Sequence, residues 1–123
     1  MNVIGLTHVT VRLRSFAEPG GAYEANFLVD TWETHSLAPA AELRKAGIQP
    51  VGKTTYELAN GRLEEYEFGL AEISVMGEIT AGRIIFGPDN VDPILGATTL
   101  ESVGITIDPA TRTLKRLSAI PLK

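Results

Sequence analysis

The sequence contains no cysteine in 123 residues. That excludes disulfides, thiolate metal centres, cysteine-based zinc fingers and cysteine nucleophiles. Basic residues are also in short supply, eleven against fifteen acidic ones, for a net charge of -4. A nucleic-acid binder shows the opposite balance, so no nucleic-acid partner is expected. No apolar run reaches transmembrane length, and the opening residues lack the charged and apolar regions of a signal peptide. The expectation is a soluble, cytoplasmic protein with no membrane partner. Repeats, low-complexity tracts and linkers are absent too, which predicts one domain over residues 1–123. Gly87-Pro88-Asp89 reads as a turn and not a phosphate loop, since no glycine-rich helix entry follows it, and no cofactor is expected.

What is present is a β pattern. Hydrophobic residues make up 44% of the chain, enough to build a core in a chain of this length. Val9, Val11 and Leu13 alternate with Thr10, Arg12 and Arg14, the two-residue period of a strand with one buried face. Ile4 and Leu6 have the opposite parity, which predicts a bulge near Thr7-His8 or a different pairing partner. Residues 18–21 form a turn, and residues 23–29 a second strand whose continuous run Phe27, Leu28, Val29 suits cover on both faces. Residues 39–47 predict a short helix, with proline in the first turn, Arg44-Lys45 near the end and Gly47 after it. Residues 54–59 and 63–68 flank Asn60-Gly61, the strongest short hairpin signal. Leu70, Ile73 and Val75 continue the pattern to a tight turn at Met76-Gly77. Residues 79–86 form a further strand, Thr98 and Glu101 fit a capping box for a brief second helix, and residues 105–107 and 113–117 form a last pair. Seven or eight short strands with two short helices predict an all-β barrel or sandwich.

Two segments carry a resemblance. Residues 27–31 are an apolar strand ending in Asp30 and Thr31. Ile94-Leu95-Gly96 is an aliphatic-aliphatic-glycine triplet just before the second helix, and the Asn60-Gly61 hairpin lies between them. This order resembles the retropepsin-like aspartic proteases, the single-lobe relatives of pepsin and the retroviral proteases, and is most similar to their small bacterial members. The resemblance implies a closed retropepsin-like barrel with a flap hairpin over residues 56–64. It implies that Asp30 is the catalytic residue and Thr31 its support, and that Tyr56, Leu58, Asn60 and Gly61 belong to a substrate-binding flap. Ile94, Leu95 and Gly96 then form the structural motif behind the site. It also implies a homodimer acting on a peptide or protein substrate. Two carboxylates about 3 Å apart share one proton, one activating water and the other donating to the scissile carbonyl, and a single-lobe chain brings only one of them.

The chain departs from the family at Trp32, where the family has glycine, with Glu33, Thr34 and His35 following. Trp32 therefore belongs with Asp30 and Thr31 as a support position whose identity is altered. Two readings follow, an aspartic endopeptidase, or an impaired relative that uses its cleft or Trp32 to bind peptides or protein partners. Blander readings stand beside these. Asp30 is read as a strand-end turn residue, Trp32 as a core aromatic, and the whole as an unrelated small β-barrel binding module. Asp30, Glu33 and His35 share a loop, but with only two histidines in the chain no metal site is expected. Glu64, Glu65 and Glu67 read as a solvated strand face.

Overall fold

The computed structural model describes residues 7–17 and 20–122. Its elements in chain order are β1 (His8–Arg14), β2 (Ala22–Val29), β3 (Ser36–Pro39), α1 (Ala40–Lys45), β4 (Gly52–Glu57) and β5 (Leu63–Val75). There follow β6 (Glu78–Gly87), β7 (Ile94–Leu95), α2 (Ala97–Val103), β8 (Ile105–Asp108) and β9 (Thr113–Arg116). Alternation places the side chains as expected: Val11 and Leu13 of β1 are fully buried, while Thr10, Arg12 and Arg14 face out. On β5, Ala71, Ile73 and Val75 point inward. Phe27 and Val29 of β2 complete the wall. Leu43 and Ile48 close one side of this core, and Leu100, Val103 and Ile105 pack into the same cluster. Full burial of side chains of this size stabilises by roughly 1.5–3 kcal/mol each.

One sheet runs in the order β1-β2-β7-β3-β6-β5-β4, and β1 also pairs with β5, so that six strands form a ring of partners with β4 outside it. The ring is thin at β7, which has two residues and meets β3 at the single pair Leu37↔Ile94. The expected closed barrel is therefore not formally closed. β8 and β9 form a separate two-stranded antiparallel sheet.

Several local expectations are corrected. The β1–β2 register is unbroken from His8↔Leu28 to Arg14↔Ala22, so no bulge interrupts it at His8. Ile4, Leu6, Glu18 and Pro19 lie outside the described residues. Strand β3 occupies a segment not read as a strand, held by parallel pairing to β6. The capping box is not formed. The residue before α2 is Gly96, Thr98 lies inside the helix, and no side chain caps it. The Asn60-Gly61 turn is a three-residue loop, with Leu58 N–H donating to the Arg62 carbonyl (2.8 Å) and Gly61 N–H to the Leu58 carbonyl (2.8 Å). Gly61 takes φ +85°, the left-handed residue this loop requires. Met76 and Gly77 both have positive φ, as a two-residue turn between β5 and β6 demands.

Candidate functional site

The site begins where β2 ends. β2 pairs in parallel with β7, Leu28↔Ile94 and Val29↔Leu95. Leu28 N–H donates to the Pro93 carbonyl (2.9 Å), and Asp30 N–H to the Leu95 carbonyl (3.1 Å). The chain then turns on Asp30 itself. Its carboxylate Oδ1 accepts the Trp32 N–H (3.0 Å), and its carbonyl accepts the Glu33 N–H (3.2 Å). Short aspartate-led turns close in this way. Replacing the expected glycine by tryptophan keeps this backbone donor, and the indole is held outside the core at 81% exposure. The reading of Trp32 as a core aromatic is thereby corrected.

The loop after Asp30 is locked to α2. The Glu33 carbonyl accepts the Ala97 N–H (2.7 Å) and the Thr34 carbonyl the Thr98 N–H (3.1 Å). These carbonyls satisfy the first helical donors, which explains why no side-chain cap is used. Gly96 passes so close that a Cβ there would fall 2.7 Å from the His35 carbonyl carbon and 2.9 Å from the Thr34 carbonyl oxygen. The buried Ser36 Oγ accepts the Gly96 N–H (2.9 Å) and shares a hydrogen bond with Thr99 Oγ1 (3.1 Å). The triplet Ile94-Leu95-Gly96 thus has a physical role: Leu95 is buried and holds Asp30, and Gly96 allows two loops to touch.

Over this floor stands the β4–β5 hairpin. Tyr56 joins it to the loop, its hydroxyl 3.1 Å from His35 Nδ1 and the two rings edge to face at 5.9 Å. Arg83 of β6 grips the same hairpin, stacking 3.6 Å over the Phe68 ring and donating to Thr54 Oγ1 (2.9 Å). Partial burial and the nearby Arg83 charge lower the His35 pKa below its ordinary value. Partial burial and, secondarily, the Asp30 charge raise that of Glu33.

Beneath the hairpin is a cavity of about 310 Å³ lined in part by Leu37, Tyr56, Leu58, Tyr66, Val91 and Ile94. A second, of about 280 Å³, is bounded by Trp32, Glu33, His35, Tyr56 and Glu57. Of the residues singled out from sequence, Tyr56, Leu58 and Ile94 line the first and Trp32 the second. Asn60 and Gly61 form the exposed turn, where Asn60 Oδ1 accepts the Arg62 N–H (2.9 Å), and line neither. Half-buried Asp30 also lines neither, and Thr31 opens onto a separate cavity of about 150 Å³ beside Leu100 and Ile105. Sequence reasoning missed Ser36, Leu37 and Tyr66, while Glu57 fell within the expected flap. Only Tyr66 carried a signal, since it shares strand parity with Glu64, the cross-strand partner of Tyr56. Among the described residues, no group of three metal-ligating side chains converges, and no helix is long and apolar enough to cross a membrane.

No protein-family model matches the sequence, and no curated protein matches it. Solved structures do. The protease of simian foamy virus (mac) superimposes with a TM-score of 0.54 at 12% identity, covering 76% of this chain and 91% of that one. The retroviral protease-like domain of Ddi1 from Leishmania major gives 0.56 at 16% identity, covering 91% and 88%. The architecture is the retropepsin-like fold, all-β with two short helices.

Proposed function

We propose that this retropepsin-like chain is an aspartic-type endopeptidase that acts as a homodimer, with Asp30 of each copy forming the catalytic pair. Residues 1–123 are read as a single retropepsin-like domain. The observation that carries the reading is the anchoring of Asp30, its N–H on the Leu95 carbonyl and its carboxylate on the Trp32 N–H. A carboxylate so held at a strand end is a fixed group rather than a mobile surface acid. In the dimer, one carboxylate takes a proton from water as it attacks the peptide carbonyl, and the other donates to the carbonyl oxygen. Exposed Thr31 stands next to the pair and supports it across the two-fold axis. The β4–β5 hairpin serves as the flap, closing over the peptide and excluding water. Leu37, Leu58, Val91 and Ile94 supply an apolar wall for a substrate side chain.

A second reading is favoured by one observation, the exposure of Trp32 two residues from Asp30. Two indoles at the mouth of a dimeric cleft suit peptide capture and crowd the approach of the two aspartates. The test is cleavage of a mixed peptide library between about pH 4 and 7, the range suited to a carboxyl pair, by the native chain, Asp30→Asn and Trp32→Gly. Cleavage by the native chain that disappears in Asp30→Asn is the expected result. Cleavage only by Trp32→Gly selects the binding reading. Silence in all three removes the enzyme.

A further inference from the structure

The two cavities under the hairpin share Glu33, Tyr56, Glu57 and Ile85, and so form one trough with two different ends. One end is aliphatic, with Leu37, Leu58, Val91 and Ile94. At the other stand Trp32, Thr34 and His35, and Glu33, Tyr56 and Glu57 lie where the two ends meet. No lysine or arginine lines either end.

The charges around the trough are unevenly satisfied. Each of the hairpin's other acids on β5 has a cation: Glu64 with Arg62 (2.7 Å), Glu67 with Arg44 (3.2 Å) and Glu65 with Lys53 (4.0 Å). The expected solvated acidic face is therefore largely neutralised. Glu33 and Glu57 make no ion pair among the described residues. Of the two basic side chains nearby, His35 is engaged with Tyr56 and biased toward its neutral form, and Arg83 is held on the Phe68 ring and Thr54 Oγ1 without lining either end. Aromatic faces beside carboxylates attract an organic cation through the ring quadrupole and direct charge pairing together.

We propose that the aromatic end of the trough selects a basic side chain, lysine or arginine, of a bound peptide, while the aliphatic end takes a large apolar neighbour. The proposal rests on the reading of the trough as a peptide cleft. The indole and phenol rings flank the alkyl stem and head group, and Glu33 and Glu57 neutralise the charge. The substrate class is thus a basic-apolar peptide, and the chain's net charge of -4 draws such peptides in.

The experiment uses Asp30→Asn, so that binding is read without turnover. Three peptides are compared by calorimetry, Ac-Ala-Leu-Lys-Leu-Ala-amide and its analogues with norleucine or glutamate in place of lysine. The emission of Trp32, the one tryptophan of the chain, is the local reporter. The lysine peptide is expected to bind about tenfold tighter than the norleucine one. That preference is expected to fall to within about threefold in Glu33→Gln/Glu57→Gln and in about 0.5 M salt. Equal or tighter binding of the norleucine peptide overturns the proposal and leaves the peptide cleft standing. A preference that survives in the double variant also overturns it, because the acids are then not its source. Binding of none of the three overturns both the proposal and the cleft.

Discussion

Gly96 sits under a constraint that no other residue type meets, because the backbone at His35 lies where a Cβ would be. Gly96→Ala must push apart the Asp30 loop and α2, and overpacking of this kind costs about 1–3 kcal/mol. Chemical denaturation would read that loss, and unchanged stability would mean the two loops do not touch. Ser36 is the polar counterpart. Ser36→Ala leaves the Gly96 N–H without its acceptor in a buried place, at about 1–3 kcal/mol. Thr99→Val also breaks the Ser36–Thr99 bond but keeps Ser36 Oγ on Gly96, so the smaller loss is expected there, measured by the same denaturation curves. The role of Gly96 was legible in its triplet. That of Ser36 was not, because a serine in a run of polar residues reads as loop until Gly96 and Thr99, remote in sequence, close over it. Thr98 misled for a related reason: two loop carbonyls reach the helix donors first, and its hydroxyl has no cap to make.

At the scale of elements, the His35–Tyr56 contact ties the Asp30 loop to the hairpin, and it gives stability a pH signature. Since the folded His35 pKa lies below the ordinary 6.5, the unfolded chain binds a proton first on acidification. Stability that His35 leaves intact at neutral pH is therefore lost as pH falls below about 6.5. Glu33 runs the other way. Its raised pKa means that the folded chain holds the proton longer, and stability is lost as pH rises from the ordinary 4.5 through the folded value. Melting temperatures measured from pH 4 to 8 should show His35→Gln flattening the acid-side decline. Glu33→Gln should raise the melting point at pH 7, with the gain vanishing near pH 4.5. A parallel shift of either variant at every pH would contradict these assignments. Elements with local signals were legible, namely β1, β2, the hairpin and the Met76-Gly77 turn. β5 read as two runs because Gly69 interrupts it, placed there to let the Gln49 carbonyl pass 2.8 Å from where its Cβ would be. β3 was not legible, being four residues whose pairing with β6 is parallel and remote in sequence.

At the scale of the molecule, the two strands that pair in parallel behind Asp30 present one half-buried carboxylate, with Thr31 and Trp32 exposed beside it. The proposed pairing of two copies makes a quantitative demand. The retropepsin-like architecture was legible as an order of motifs, apolar strand with Asp30, then hairpin, then aliphatic-aliphatic-glycine. The trough was not, since its walls come from β3, β4, β5, β6 and the residues after β6, and only folding brings them together. The measurement that tests the central claim is peptide cleavage by native chain mixed with Asp30→Asn in equal amounts after joint refolding. If each site needs Asp30 from both copies, random pairing leaves about one quarter of the dimers competent, and activity per total dimer falls to that level. A fall to about one half, the fraction of native chains in an equal mixture, would mean that each chain works alone and would contradict the account.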